Sequence, residues 1–318
     1  DATAVAVGDD LGDQEKAEDY EAKAAAQNAA GKERKENQNT FQKIFKDGET
    51  PSTLGSYSEI IKSRPPTADE NIAAVTLGRE LDKAKYQDRV RIEATSTMPP
   101  GRLRTRAVVQ QKALRSKNIQ QNVEPFRRVM RKHVEDPNLT IGVQVDISGS
   151  MSAAMEPMAS AAWILSQASK RADARLAMVY YGNGVFPTLK PGQHLDKVNI
   201  YSAADGTERF DMASKALDGG LDLINGKGAR MVVIVSDGQY TPNERESVRK
   251  WLRLYESAGV GVLWLAFGYS DYAEEYCKER KNAEIVRFGR GDSPVSAAQA
   301  IGQAAVRAVN AASATRRG

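Results

Sequence analysis

The chain has 318 residues, 41% of them hydrophobic, with a net charge of +4 and a pI near 9.0; that is enough for one domain of about 180–200 residues and a smaller one, and the mild charge surplus identifies no partner. A single cysteine, Cys277, excludes an internal disulfide and fits a reducing compartment. His133 and His194 are too far apart for zinc-ligand spacing, and no apolar run approaches the roughly 18 residues of a membrane span.

From Asp1 to Asn39 the chain is rich in Ala, Glu, Lys, Gln and Asn and poor in large apolar side chains, so residues 1–39 are expected to form a polar tail or a solvated helix. Asp1 to Gly8 has neither the basic start nor the apolar core of a signal peptide, and the missing initial Met is expected of a processed or trimmed piece. Residues 40–135 read as a helical, basic N-terminal region. Phe41, Ile44 and Phe45 begin a helical pattern that Asp47-Gly48 breaks. Thr67-Ala-Asp-Glu70 forms a capping box after Pro65-Pro66, and Ile72, Val75, Leu81 and Ala84 predict a helix over Ala68 to Tyr86.

After Met98-Pro99-Pro100-Gly101 comes a basic stretch, with Arg102, Arg104, Arg106, Lys112, Arg115, Lys117, Arg127, Arg128, Arg131 and Lys132 against Glu124. Such a run is expected to be a solvated helix-loop face, or a surface for an acidic partner. Nucleic acid is the less expected partner, because only Phe126 is near to stack a base. Leu103, Val108 and Val109 are expected to anchor residues 100–103 on the domain that follows.

From Asp136-Pro137 strands and helices alternate. Strands are predicted over Thr140–Asp146, Arg175–Tyr181, Val198–Tyr201, Arg230–Ser236, Val260–Phe267 and Glu284–Phe288. Helices are predicted over Ser152–Ala172, Phe210–Ile224, Asn243–Ala258, Tyr272–Arg280 and Val295–Ala312, with a loop around Gly182-Asn-Gly184 and Pro187. Repeated βα units with apolar strands predict a doubly wound, mostly parallel α/β sheet over residues 136–318. In such a sheet ligands bind outside the carboxyl ends of the strands. At the end of the first strand, Asp146, Ser148 and Ser150 place one carboxylate and two hydroxyls at alternate positions of a turn. That donor set suits a hard divalent cation such as Mg²⁺.

Asp146-Ile-Ser148-Gly149-Ser150 resembles the Asp-x-Ser-x-Ser signature of the metal-ion-dependent adhesion site in von Willebrand factor type A (vWA) domains. The resemblance implies a Thr from a later loop and an Asp after a later strand, and Thr207 in Asp205-Gly-Thr-Glu208 and Asp237 after Met231-Val-Val-Ile-Val-Ser stand in family order. The implied ligands are therefore Asp146, Ser148, Ser150, Thr207 and Asp237, holding Mg²⁺, or Mn²⁺ or Ca²⁺, with a partner's carboxylate at the open position. Pro100-Gly101-Arg102-Leu103, Arg106-Ala107 and Phe126-Arg127-Arg128 ahead of that site are similar to the C-terminal part of CobT-type cobaltochelatase subunits. That resemblance implies an AAA+ ATPase partner of the CobS or MoxR kind, acting in metal insertion or client remodelling.

Enzymatic motifs are poorer. Ser148 stands where an aspartyl phosphatase needs its second Asp, and no Gly-x-Ser-x-Gly elbow surrounds Ser148 or Ser150. Gly220 to Lys227 is one residue too long for a phosphate loop and is followed by Gly228 rather than Ser or Thr. No His or Cys base accompanies a nucleophile. The expectation is a metal-dependent protein-interaction module, not an enzyme by itself, in the cytoplasm and compatible with homo-oligomers. The alternatives are a structural protein of a phage particle, hence of the virion, and a metal-dependent hydrolase.

Overall fold

The computed structural model describes residues 28–46, 60–85, 89–99, 101–118, 123–133, 138–268, 271–288 and 294–315. In chain order the first elements are a helix over 28–45 (α1), Ile60–Arg64 (β1), Ala68–Lys85 (α2), Arg89–Ser96 (β2), Arg102–Leu103 (β3), Thr105–Ser116 (α3) and Phe126–His133 (β4). The α/β body follows with Leu139–Asp146 (β5), Met155–Arg171 (α4), Arg175–Tyr181 (β6), Val185–Leu189 (β7), Val198–Tyr201 (β8) and Phe210–Leu221 (α5). It ends with Ala229–Ser236 (β9), Pro242–Ala258 (α6), Gly261–Phe267 (β10), Tyr272–Cys277 (α7), Ala283–Phe288 (β11) and Pro294–Thr315 (α8). Among the described residues no helix is long and apolar enough to cross a membrane.

The main sheet has the order β11-β10-β9-β5-β6-β7, parallel except for β7 at one edge. This is the doubly wound, mostly parallel sheet that the sequence predicts. All eight residues of β5 and all eight of β9 are buried, as central strands covered on both faces must be. Their alternate residues feed two cores. Ile141, Val143, Val145, Met231, Val233 and Val235 face the layer of α2, α4 and α8. Val232 and Ile234 face α5, α6 and α7, where Ile44 and Phe45 of α1 also pack. The strand β7 lies in a stretch read from sequence as a loop. Its Pro187, opposite Val179, is tolerated because β7 is an edge strand, where a missing N–H costs little.

The N-terminal region is helical, as expected, and also contributes strands. α1 docks on α5: the Asn37 amide donates to Asp218 Oδ2 at 2.8 Å in a buried contact, and Lys215 reaches Glu36 at 2.8 Å. In α2, Ala73, Ala74, Leu77, Leu81 and Ala84 are at most 1% exposed, and each buried Leu contributes about 2 kcal/mol. The predicted capping box forms: Thr67 N–H donates to Glu70 Oε2 at 2.7 Å, and Glu70 N–H donates to Thr67 Oγ1 at 3.1 Å. Glu70 is also gripped by both terminal nitrogens of Arg64, at 2.8 and 2.7 Å, and by the Ser160 hydroxyl of α4 at 2.5 Å. These contacts hold its carboxyl down at about 2 against the pull of burial.

The basic stretch is in part the solvated helix expected from sequence, α3, with only Ala107 buried, and in part strand. β2, β4 and β3 form a three-stranded antiparallel sheet in that order, with α3 between β3 and β4 in the chain. Residues 101–103 find their partner there rather than through apolar anchors on the α/β body; Pro100 lies outside the described residues. Arg102 and Leu103 pair with Arg127 and Phe126, while Leu103 and Val109 stay 55% and 62% exposed. The glycine of that segment has a packing reason: a Cβ on Gly101 would press on the Arg127 carbonyl at 3.1 Å.

Candidate metal centre

The chain winds away from β5 in both directions, toward β6 on one side and toward β9 on the other, so the crevice between the ends of β5 and β9 is the switch point where this architecture binds ligands. Asp146 ends β5, Ser236 ends β9, and Asp237 follows it. Ser236 Oγ donates to Asp146 Oδ2 at 2.7 Å and accepts Gly238 N–H at 2.9 Å. Asp146 Oδ1 accepts the Ser148 N–H at 2.8 Å, which turns the chain out of the strand and into a 3-10 turn over Gly149–Ala154. Helix α4 therefore begins at Met155 rather than at Ser152.

The turn brings Ser148 Oγ and Ser150 Oγ within 3.1 Å of one another, and the Ser150 hydroxyl also donates to the Asp237 carboxylate. Asp237 Oδ1 accepts Gln239 N–H at 2.9 Å. Four of the five sequence-predicted residues, Asp146, Ser148, Ser150 and Asp237, thus form one hydrogen-bonded cluster. Thr207 stands on the neighbouring loop with its hydroxyl on Asn183 Oδ1 at 2.7 Å and its N–H on the same oxygen at 3.0 Å. Its hydroxyl is therefore braced on the β6–β7 turn rather than on the two serines.

Several functional neighbours were not singled out from sequence. Ser236 is one. Asp205 is another: its chain bridges to Ser148, its carbonyl accepts Gly149 N–H at 2.8 Å, and its Oδ2 accepts Asn183 N–H at 2.7 Å. Its other oxygen, Oδ1, is buried with no hydrogen-bond partner among the described residues. Gly182 makes this approach possible, because a Cβ there would overlap the Asp205 carboxylate. The only sequence signal for Asp205 and Glu208 is that they flank Thr207. Arg245 also lines the cleft, its Nε donating to the Tyr240 carbonyl at 2.9 Å and its guanidinium 5.2 Å from the Tyr272 ring centre.

The electrostatics are those of acids held out of water. Burial raises the Asp146 carboxyl to about 7, and nearby Asp237 adds to the rise. Burial also raises Asp205, Asp237 and Glu208, the last with a further push from Asp237. Among the described residues, Asp146, Asp205 and Glu208 have no ion-pair partner. Among those residues no group of three or more His, Cys, Asp or Glu is placed to hold a metal ion by itself; the oxygens in the cluster are those of two carboxylates and two serine hydroxyls. That set, with an orphaned carboxylate oxygen beside it, fits a hard oxygen-seeking cation. Above it opens a cleft of about 390 Å³ lined by Ser148, Ser150, Asp205, Glu208, Tyr240 and Arg245 among others. Below it, Tyr181 and Tyr240 join hydroxyls at 2.7 Å and Trp264 Nε1 donates to the Ser236 carbonyl at 3.0 Å, tying the end of β6 to the loop after β9 and the end of β9 to the middle of β10.

Fold and site together define an open, doubly wound α/β domain with a hydroxyl-and-carboxylate cluster at its switch point. No family model matches the sequence, and no curated protein matches it. Among solved structures the chain is similar to a von Willebrand factor type A protein from Catenulispora acidiphila, with 14% identity over 57% of this chain and 45% of that one and a TM-score of 0.39. It is similar to the SpRpn10 VWA domain, with 9% identity over 50% of this chain and 93% of that one and a TM-score of 0.38. It is also similar to the manganese-loaded Plasmodium vivax TRAP protein, with 15% identity over 52% and 71% of the two chains and a TM-score of 0.35. The chain thus spans less than half the length of the first of these.

Proposed function

We propose that this chain is a vWA-type protein-interaction module whose Asp146, Ser148, Ser150, Asp237 and Thr207 hold a divalent cation, Mg²⁺ first and Mn²⁺ or Ca²⁺ as substitutes. The observation that carries this reading is the fully buried Asp146 carboxylate, without an ion-pair partner among the described residues, linked through its turn to Ser148, Ser150 and Asp237. A bound cation supplies Lewis acidity toward one incoming oxygen ligand. The chain's own residues do the rest. Asp146 and Asp237 supply charge, the serine hydroxyls supply neutral donors, and the Tyr240, Arg245 and Glu208 walls shape the approach of a partner's carboxylate.

The partner class is an AAA+ ATPase of the CobS or MoxR kind, carried by the CobT resemblance over most of residues 70–315. The experiment is capture of partners on the immobilised chain in Mg²⁺ and in EDTA, with Asp146→Ala as control. An AAA+ ATPase retained in Mg²⁺ and lost both in EDTA and on Asp146→Ala supports the reading. Retention that ignores the cation and the substitution refutes a metal-dependent interface. Purified chain that shows no thermal response to Mg²⁺, Mn²⁺ or Ca²⁺ refutes the cation site itself.

A further inference from the structure

The charge of this chain is concentrated. Residues 89–133 carry twelve Lys and Arg against two Glu, in a chain whose net charge is only +4. Read as a helix-loop run, those cations would be spread over a solvated surface. The structure gathers them instead. The antiparallel register places Arg91 opposite Arg131, Arg89 opposite His133, and Arg102 opposite Arg127. By the alternation of strand residues, positions Arg89, Arg91, Arg102, Arg127 and Arg131 belong to one face of the sheet, with Glu93 the one acid among them.

Helix α3, which follows β3 directly in the chain, carries further cations. It leaves the sheet edge at Arg104, whose N–H is held by the Pro125 carbonyl at 2.8 Å. Only Ala107 among its residues is buried, and it contains no acid. Arg102, Arg104, Arg106, Lys112, Arg115 and Lys117 are all outside the buried core, and none forms an ion pair with a described residue.

We propose that the β2–β4–β3 sheet and α3 form a second binding surface, for the phosphate backbone of double-stranded DNA, independent of base sequence and of the metal centre. The shortage of aromatic residues argues against single strands, which are held by stacking on aromatic rings. It does not argue against a duplex, whose phosphates are bound by Lys and Arg alone through counterion release. An exposed helix about 18 Å long and 10–12 Å across matches the roughly 12 Å major groove of B-form DNA. The narrow, deep major groove of duplex RNA does not admit it. The predominance of Arg over Lys in this stretch suits bidentate contact with phosphate oxygens.

The test is fluorescence polarisation of the full chain with a labelled, mixed-sequence DNA duplex over a salt series. If six cations are engaged, affinity falls about a thousandfold between roughly 50 and 200 mM NaCl. The variant Arg104→Glu/Arg106→Glu/Arg115→Glu weakens binding at least about tenfold with an unchanged thermal melt, and Arg102→Glu, on β3, weakens it in the same direction. Lys250→Glu/Lys278→Glu, on exposed positions of the α/β body, leaves it unchanged, as does Asp146→Ala, so failure here is separable from failure of the metal site. The proposal is overturned if duplex DNA does not bind at low salt, or if both arginine variants bind as wild type does. It is equally overturned if single-stranded DNA or duplex RNA binds as tightly. Tighter binding of poly-glutamate than of DNA would overturn it too, and would assign the surface to an acidic protein.

Discussion

Replacing Asp146 by Asn separates the two things its carboxylate does. In the cation-free protein at pH 8 that carboxylate must ionise in a fully buried position. Its pKa rises from an ordinary 3.8 to about 7, and at about 1.4 kcal/mol per unit the ionised form costs the native state about 4 kcal/mol. The unfolded chain releases this proton near pH 4 and the native chain near pH 7. Between those values the native state holds more protons, so stability falls as pH rises through the window. The Asp146→Asn variant has no charge to bury there. The carbonyl of the new amide can still accept the Ser148 N–H, but its NH₂ must donate to Ser236 Oγ where the acid accepted, at a cost of about 1 kcal/mol for the reversed bond.

The Asp146→Asn protein in EDTA at pH 8 is therefore expected to be more stable than wild type by about 2–3 kcal/mol, a rise in Tm of roughly 5–10 °C. In Mg²⁺ the gap closes. Wild type gains about 2.7 kcal/mol when the ion is at a hundred times its dissociation constant, and the variant gains little. Differential scanning fluorimetry across pH 5 to 8, with EDTA and with MgCl₂, reads both effects. Wild type that is equally stable at both pH limits in EDTA, together with an Asn variant that is no more stable there, would refute the burial argument. An Asn variant with the full Mg²⁺ response would remove Asp146 from the site.

Three further outcomes follow from the packing. Glu70→Gln is expected to lower stability at pH 7 by about 2 kcal/mol, because the depressed carboxyl of Glu70 stabilises the fold above its ordinary 4.5; the gap to wild type should close as pH falls toward 2, followed by thermal melts. Asn37→Ala removes the amide that satisfies buried Asp218 and is expected to cost about 1–3 kcal/mol, with faster proteolytic cutting within α1 than in wild type. Gly182→Ala drives a Cβ into the Asp205 carboxylate and is expected to cost about 1–3 kcal/mol and to shrink the Mg²⁺-dependent rise in Tm. An unchanged Mg²⁺ response there would separate Asp205 from the metal centre.

The α/β body was legible because its strands are apolar throughout and its helices carry long periodic faces. What escaped were elements whose signal is local and mixed. Arg89 to Ser96 alternates cations and acids with Val90, Ile92 and Ala94, which is the period of a strand, but its charges direct attention to solvation. Strand β7 was hidden by Pro187, a residue that breaks central strands and is accepted at an edge. Helix α1 is expected as a solvated helix or a tail, and its docking was hidden by composition. Its polar surface reads as solvated, yet buried Asn37 and the ion pair of Lys215 with Glu36 use that polarity to dock on α5. A polar helix is solvated only if nothing of matching polarity lies beside it, and that neighbour is more than a hundred residues away in the chain.

The candidate metal centre shows the same limit at the scale of single atoms. Asp146, Ser148 and Ser150 lie within five residues of one turn, so their convergence is a property of local sequence. Asp237 joins them because β9 pairs with β5, which the pattern of βα units implies. Thr207 depends on more. Its loop reaches the site because Gly182 lets Asp205 close against the β6–β7 turn, and its hydroxyl is directed by Asn183, a residue with no signature of its own. The order of residues in the resembled signature can therefore locate the Thr207 loop without fixing where its hydroxyl points. The buried, unpartnered Asp205 Oδ1 arises from the same closure, since an oxygen pressed into a loop–loop contact loses water before it gains a donor. The residues that hold the loop, rather than those that match the signature, thus set how much charge surrounds the cleft.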